Sequence, residues 1–85
     1  MDYTKYSDIK FIEKGINELG IITESNRPYT RLVFSDQFYA GRDWLSNQFK
    51  MLGIQKSIDE AGNLIGIYKS LEKTEKLVII GSHID

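Results

Sequence analysis

The run Leu77-Val78-Ile79-Ile80-Gly81-Ser82-His83-Ile84-Asp85 decides how the rest of the chain is read. Its four consecutive apolar residues predict a short strand buried on both faces, as in the middle of an α/β sheet. A Gly-Ser turn follows, then the chain's one histidine and a carboxylate two positions later. An imidazole and an aspartate thereby stand at the carboxyl end of a central strand, where open α/β sheets hold their ligands. Because the chain stops on these residues, we expect it to be the front piece of a larger enzyme.

Working back from that run, residues 69–76 read as a charged turn. Residues 55–60 and 64–68 read as two short strands around Ala61-Gly62-Asn63. The alternation of Ile65 and Ile67 with the glycine-asparagine turn predicts a hairpin, Gly62 or Asn63 supplying the positive φ. Before it, Ser35-Asp36 opens a helix: a hydroxyl accepts free backbone amides, and a carboxylate is favoured by the helix dipole. Phe38, Gly41, Leu45, Phe49 and Leu52 mark one face of this helix, widened by Trp44 and Met51, and read as core. Arg42 and Asp43 fall at its polar edge as a solvated pair, and Gly53 closes it. Residues 21–34 lose period around the only proline, Pro28, and make either a plain surface loop or one long enough to line a surface used by something else. The first helix runs from a cap at Ser7 or Asp8 to about Leu19. Ile9, Ile12, Ile16 and Leu19 form its apolar face, and Gly20 stands in the left-handed stop position. Gly15 inside it either meets a close neighbour or weakens the helix. The order is helix, helix, hairpin, strand, an α/β arrangement too small to cover a continuous apolar strand on both faces. The isolated chain is expected to self-associate.

Totals narrow the function. At 85 residues there is room for one small domain of marginal stability. Hydrophobic content of 41% with 27% charge places it among globular chains rather than disordered ones. A net charge of −1 gives no electrostatic case for nucleic acid or an anionic membrane. The absence of cysteine removes disulfides, thiolate zinc sites and a cysteine nucleophile. The polar amino terminus has no signal-peptide core and no run spans a membrane, so a cytoplasmic location is expected.

His83 and Asp85 allow several chemistries. Neutral imidazole is the commonest protein ligand for transition metals, and such a ligand usually gives its other N–H to a carboxylate. Residues two apart in a strand point the same way, so H-x-D at a strand end puts both side chains on one side. A hydrogen-bonded surface pair and a histidine general base without metal both fit the same residues. A serine-hydrolase reading through Ser82 fits less well. Adjacent serine and histidine side chains diverge, and no G-x-S-x-G elbow is present.

A resemblance narrows these alternatives. It is carried by Tyr29-Thr30-Arg31-Leu32-Val33-Phe34-Ser35, Ala40-Gly41-Arg42-Asp43-Trp44-Leu45, Met51-x-Gly53, Ile58-Asp59-x-Ala61-Gly62-Asn63-Leu64-Ile65-Gly66 and Gly81-Ser82-His83-Ile84-Asp85. In this order and spacing the motifs resemble the amino-terminal part of the hydantoinase/carbamoylase family of amidases. That family includes N-carbamoyl-L-amino-acid hydrolases, allantoate amidohydrolases and β-ureidopropionases, within the superfamily of two-metal exopeptidases and aminoacylases. The resemblance implies part of a three-layer αβα catalytic domain across residues 1–85, with its lid and dimerisation domain elsewhere. It makes His83 a direct ligand of one of two bridged divalent ions, zinc or manganese, and Asp85 the carboxylate that orients the imidazole. Gly81 and Ser82 become the turn that presents them, and the Ala61-Gly62-Asn63-Leu64 turn becomes scaffold. Arg31, Phe34 and Ser35 match the pattern without an assigned chemistry.

The implied activity of the parent is hydrolysis of a small amide or ureido C–N bond by metal-activated water, in a homodimer. The family's bridging aspartate, its glutamate pair and its further histidines have no place within residues 1–85. The fragment alone is therefore expected to be inactive and to hold no ion tightly, since catalytic sites use about three protein ligands per metal. Competing readings are a non-catalytic α/β interaction module or degenerate remnant, and a small metal-binding protein that completes its site by oligomerising.

Overall fold

The computed structural model describes Lys5, residues 7–69 and residues 76–85. Within them lie two helices and one two-stranded antiparallel sheet: α1 (Ile9–Gly20), α2 (Asp36–Met51), β1 (Gln55–Ile58) and β2 (Leu64–Ile67). The expected charged turn lies mostly in residues 70–75, outside the described residues.

α1 begins because Asp8, in an extended conformation, turns its carboxylate onto the free N–H of Phe11 at 3.0 Å. Gly15 does meet a neighbour. A Cβ built there would sit 3.5 Å from Cη2 of Trp44, which is ordinary van der Waals contact. Nothing steric therefore requires glycine, and alanine would remove its helix penalty of about 1 kcal/mol. Gly15→Ala is accordingly expected to raise the unfolding free energy by roughly that amount, seen as a higher urea midpoint at unchanged m-value. The stop differs from the sequence expectation. Gly20 is the last helical residue rather than a left-handed cap, and Ile21 follows at φ −87°. The positive-φ glycines among the described residues are Gly53 and Gly62.

α2 begins at Ser35, whose hydroxyl accepts the Phe38 N–H at 3.1 Å and donates to the Leu32 carbonyl. The chain enters this cap through Phe34 at φ +63°, a conformation costing a non-glycine residue about 1–3 kcal/mol. The Phe34 ring meets Phe38 edge-on at 5.8 Å, a contact that offsets part of this cost. Gly53, at φ +71°, ends the helix as its sequence position predicts.

The hairpin follows in the register Gln55↔Ile67, Lys56↔Gly66, Ser57↔Ile65 and Ile58↔Leu64. Its first strand is shorter than predicted because Asp59 belongs to the turn. The carboxylate of Asp59 accepts from the Asn63 amide side chain at 3.0 Å and from the backbone N–H of Asn63 and Ala61 at 2.9 and 3.0 Å. These donors, the Asn63 side chain first, hold its pKa below the ordinary aspartate value. Gly62 takes the positive φ, +89°.

Both strands pack on α2. Phe38 is the one large apolar residue buried among the described residues, while Trp44, Leu45 and Phe49 are half-buried. Met51 and Leu52, expected in the core, are exposed, as are Ile9, Ile12 and Ile16 on the apolar face of α1.

Residues 77–80 depart furthest from expectation. They form no strand and are between 79% and 92% exposed, so the described residues contain neither the central strand nor a three-layer αβα stack. The physical reason is that a strand exists only with a ladder partner, and no described strand lies beside them. No helix among the described residues is long and apolar enough to cross a membrane.

Candidate functional site

His83 lies beyond the unpaired apolar run with its side chain 83% exposed. Its Nδ1 is 3.1 Å from the backbone carbonyl of Asp85 and 3.5 Å from Oδ1 of the same residue. The nearer contact suits an Nδ1–H donating to the carbonyl, which fixes the tautomer with the Nε2 lone pair outward. The carboxylate stands just beyond hydrogen-bond length, so in this arrangement the main chain of Asp85 does most of the orienting. Ser82 takes no part in the ring's polar contacts among the described residues.

An outward Nε2 on a ring oriented from behind is chemically suited to a transition-metal ion. Donor number is what the chain lacks: no group of three or more histidine, cysteine, aspartate or glutamate side chains among the described residues is arranged to hold one. Among the described residues His83 offers a single such donor.

The Gly-Ser turn expected at residues 81–82 is not formed, and what ties this segment to the rest of the chain is Arg31. Its guanidinium donates to three main-chain carbonyls: Ile22 through Nε at 2.9 Å, Leu19 through Nη2 at 2.8 Å, and Ile84 through Nη1. Leu19 and Ile22 lie at the carboxyl end of α1, where orphan carbonyls and the negative pole of the helix dipole both favour a cation. The last turn of α1 contains no basic residue of its own. Ile84 lies between the two candidate site residues and is the only half-buried position in residues 76–85. Sequence reading gave Arg31 no chemistry and favoured a structural role without saying which. The signal it missed was a helix end with neither a left-handed glycine nor a basic side chain, which needs donors from elsewhere.

Arg42 also differs from its expected place. Instead of lying solvated beside Asp43, its guanidinium stacks 4.9 Å above the Tyr39 ring and donates to the Gly62 carbonyl at 3.2 Å. It ties the hairpin turn to α2, which gives the Ala61-Gly62-Asn63 motif a mechanical role.

The larger concavity lies away from this chemistry. An open apolar groove of about 440 Å³ runs between α1 and α2, lined by Phe11, Ile16, Trp44, Phe49 and Leu52 among others. Trp44 is fixed at its rim by a 3.0 Å hydrogen bond from Nε1 to Glu18. None of residues 81–85 lines it.

Comparison with known proteins gives one similarity that runs almost the length of the chain. It is 29% identical over 79 residues to a ureidoglycolate hydrolase of Arabidopsis thaliana, which covers 92% of this chain. The chain spans 17% of that relative's length. No protein-family model matches the chain, and no solved structure matches it either.

Proposed function

We propose that the chain is the amino-terminal portion of the catalytic domain of a two-metal hydrolase that cleaves linear ureido or amide C–N bonds. Compounds of the ureidoglycolate, allantoate and N-carbamoyl amino acid kind are its substrate class. The observation that carries this reading is the similarity to a ureidoglycolate hydrolase over 92% of the chain, a span that includes most of its motifs. The oriented, outward-facing imidazole of His83 supports it. So does the apolar surface of α1 and of residues 77–80, which further layers of such a domain would cover.

In this reading His83 holds one divalent ion through Nε2, and Asp85 orients the ring from the Nδ1 side. The ions supply Lewis acidity, polarising the scissile carbonyl and acidifying water. Zinc and manganese both suit nitrogen and oxygen ligands of this kind. The chain's own task is to present an imidazole of fixed tautomer at the right place, while the acid–base group and the remaining ligands come from sequence beyond it.

The test compares two proteins, the chain alone and the product of its gene read beyond Asp85. Each is assayed for ammonia release from ureidoglycolate, allantoate and N-carbamoyl amino acids, with and without a chelator. The expected result is chelator-sensitive hydrolysis by the longer product and none by the chain. A downstream sequence lacking an aspartate and paired glutamates, or a longer product inactive with every metal, would overturn the proposal.

A further inference from the structure

The three carbonyls gathered by Arg31 join parts of the chain far apart in sequence. Leu19 and Ile22 close α1, whereas Ile84 lies 53 residues downstream of the arginine, inside His83-x-Asp85. Among the described residues, 77–80 make no sheet pairing, and residues 81–83 and 85 are exposed. The guanidinium reaches all three acceptors because it passes over a glycine. A Cβ at Gly41 would come within 3.0 Å of both Cδ and Nε of Arg31. Gly41 is buried in α2, so the arginine stem is laid across that helix before its planar fork opens onto the carbonyls.

We propose that Arg31 is a positioning residue for the His83-x-Asp85 segment, clamping the Ile84 carbonyl to the carboxyl end of α1, with Gly41 as the gap that admits its side chain. Lysine cannot replace it: an ammonium on a flexible stem lacks the planar fork that meets three fixed carbonyls at once. The consequence for a metal ligand rests on the function proposed above, but the clamp itself does not.

The experiment therefore has two arms. In the first, backbone 1H–15N heteronuclear NOEs of the chain are recorded for the parent and for Arg31→Ala, Arg31→Lys and Gly41→Ala. The expected result is loss of order confined to residues 82–85 in both Arg31 variants, with α1, α2 and the hairpin unchanged. Millimolar guanidinium, far below denaturing levels, should restore order to Arg31→Ala. Gly41→Ala should loosen the same residues although alanine suits a helix better than glycine. Residues 82–85 as ordered in Arg31→Ala as in the parent would overturn the clamp. So would disorder spread evenly over both helices, which marks a general loss of folding.

The second arm measures zinc and manganese affinity of the longer gene product, where Arg31→Ala is expected to weaken binding about tenfold, the low end for residues that aim a ligand. Unchanged affinity in a variant whose residues 82–85 are disordered would remove the positioning role. A parent protein that binds no metal would sink the hydrolase reading and leave the first arm to decide the clamp.

Discussion

His83→Ala in the longer gene product is expected, on the function proposed above, to abolish metal-dependent ureido hydrolysis, and Asp85→Ala to lower metal affinity or turnover by about 10–100-fold. The difference follows from what each residue does. An imidazole that donates a lone pair cannot be replaced by its neighbours, because no cluster of three candidate ligands stands among the described residues to take over. The residue behind it acts through orientation, and here orientation has two sources. The Asp85 carbonyl lies 3.1 Å from Nδ1 and is kept in any substitution of the side chain, while the carboxylate lies 3.5 Å away and is lost. Isothermal titration of the apoprotein with zinc, beside the turnover of each variant, separates the roles. Equal and total loss in both would mean that Asp85 itself binds an ion; no loss in His83→Ala would remove the histidine from the site.

How much of this was legible in the sequence depends on whether the deciding physics is local. The two helix starts were, because Asp8 and Ser35 satisfy amides three residues ahead of themselves. The hairpin was too, since a turn that needs a positive φ at Gly62 writes itself in Ala61-Gly62-Asn63. Gly53 and Gly20 look alike in sequence, yet only Gly53 adopts the left-handed conformation. At Gly20 the helix end is completed by an arginine eleven positions on (31 − 20), which no local rule anticipates. Arg42 was misplaced for a related reason. Helical periodicity assigned it to a polar edge, but guanidinium groups also lie flat on aromatic faces, and Tyr39 offers one three positions back. Residues 77–80 make the sharpest contrast. Their composition states what surroundings the segment requires, a sheet on both edges and cover on both faces, and it cannot supply them. His83 and Asp85 were singled out by residue type and spacing alone. Their support was not legible, because it depends on contacts such as that between Arg31 and Ile84.

Gly66→Val is expected to be the most damaging single substitution in the hairpin, and Gly66→Ala to cost about 1–3 kcal/mol, the usual range for overpacking. Gly66 sits in β2 opposite Lys56, on the face turned to α2. A Cβ there would lie 2.8 Å from Cε2 of Phe49 and 2.9 Å from Cγ2 of Ile54, closer than carbon atoms pack. Phe49 near the end of α2 and Ile54 just past it, joined by the Ile54 N–H donating to the Phe49 carbonyl at 2.9 Å, crowd the same point, so neither can give way without pressing on the other's packing. For a domain of this size, whose single core rarely supplies more than about 3–5 kcal/mol, that cost is a large share of the total. Gly53 provides the control. No atom lies within 4 Å of a Cβ built there, but its φ of +71° strains any side chain, so Gly53→Ala measures backbone strain without a clash. Gly81→Ala, with open space and no positive φ, should change little. Urea unfolding followed by Trp44 fluorescence and by far-ultraviolet circular dichroism should rank the losses Gly66→Val, Gly66→Ala, Gly53→Ala, Gly81→Ala. A Gly66→Ala protein no less stable than Gly81→Ala would mean that the hairpin does not rest on Phe49, and Arg42 would then be left to hold the turn against α2.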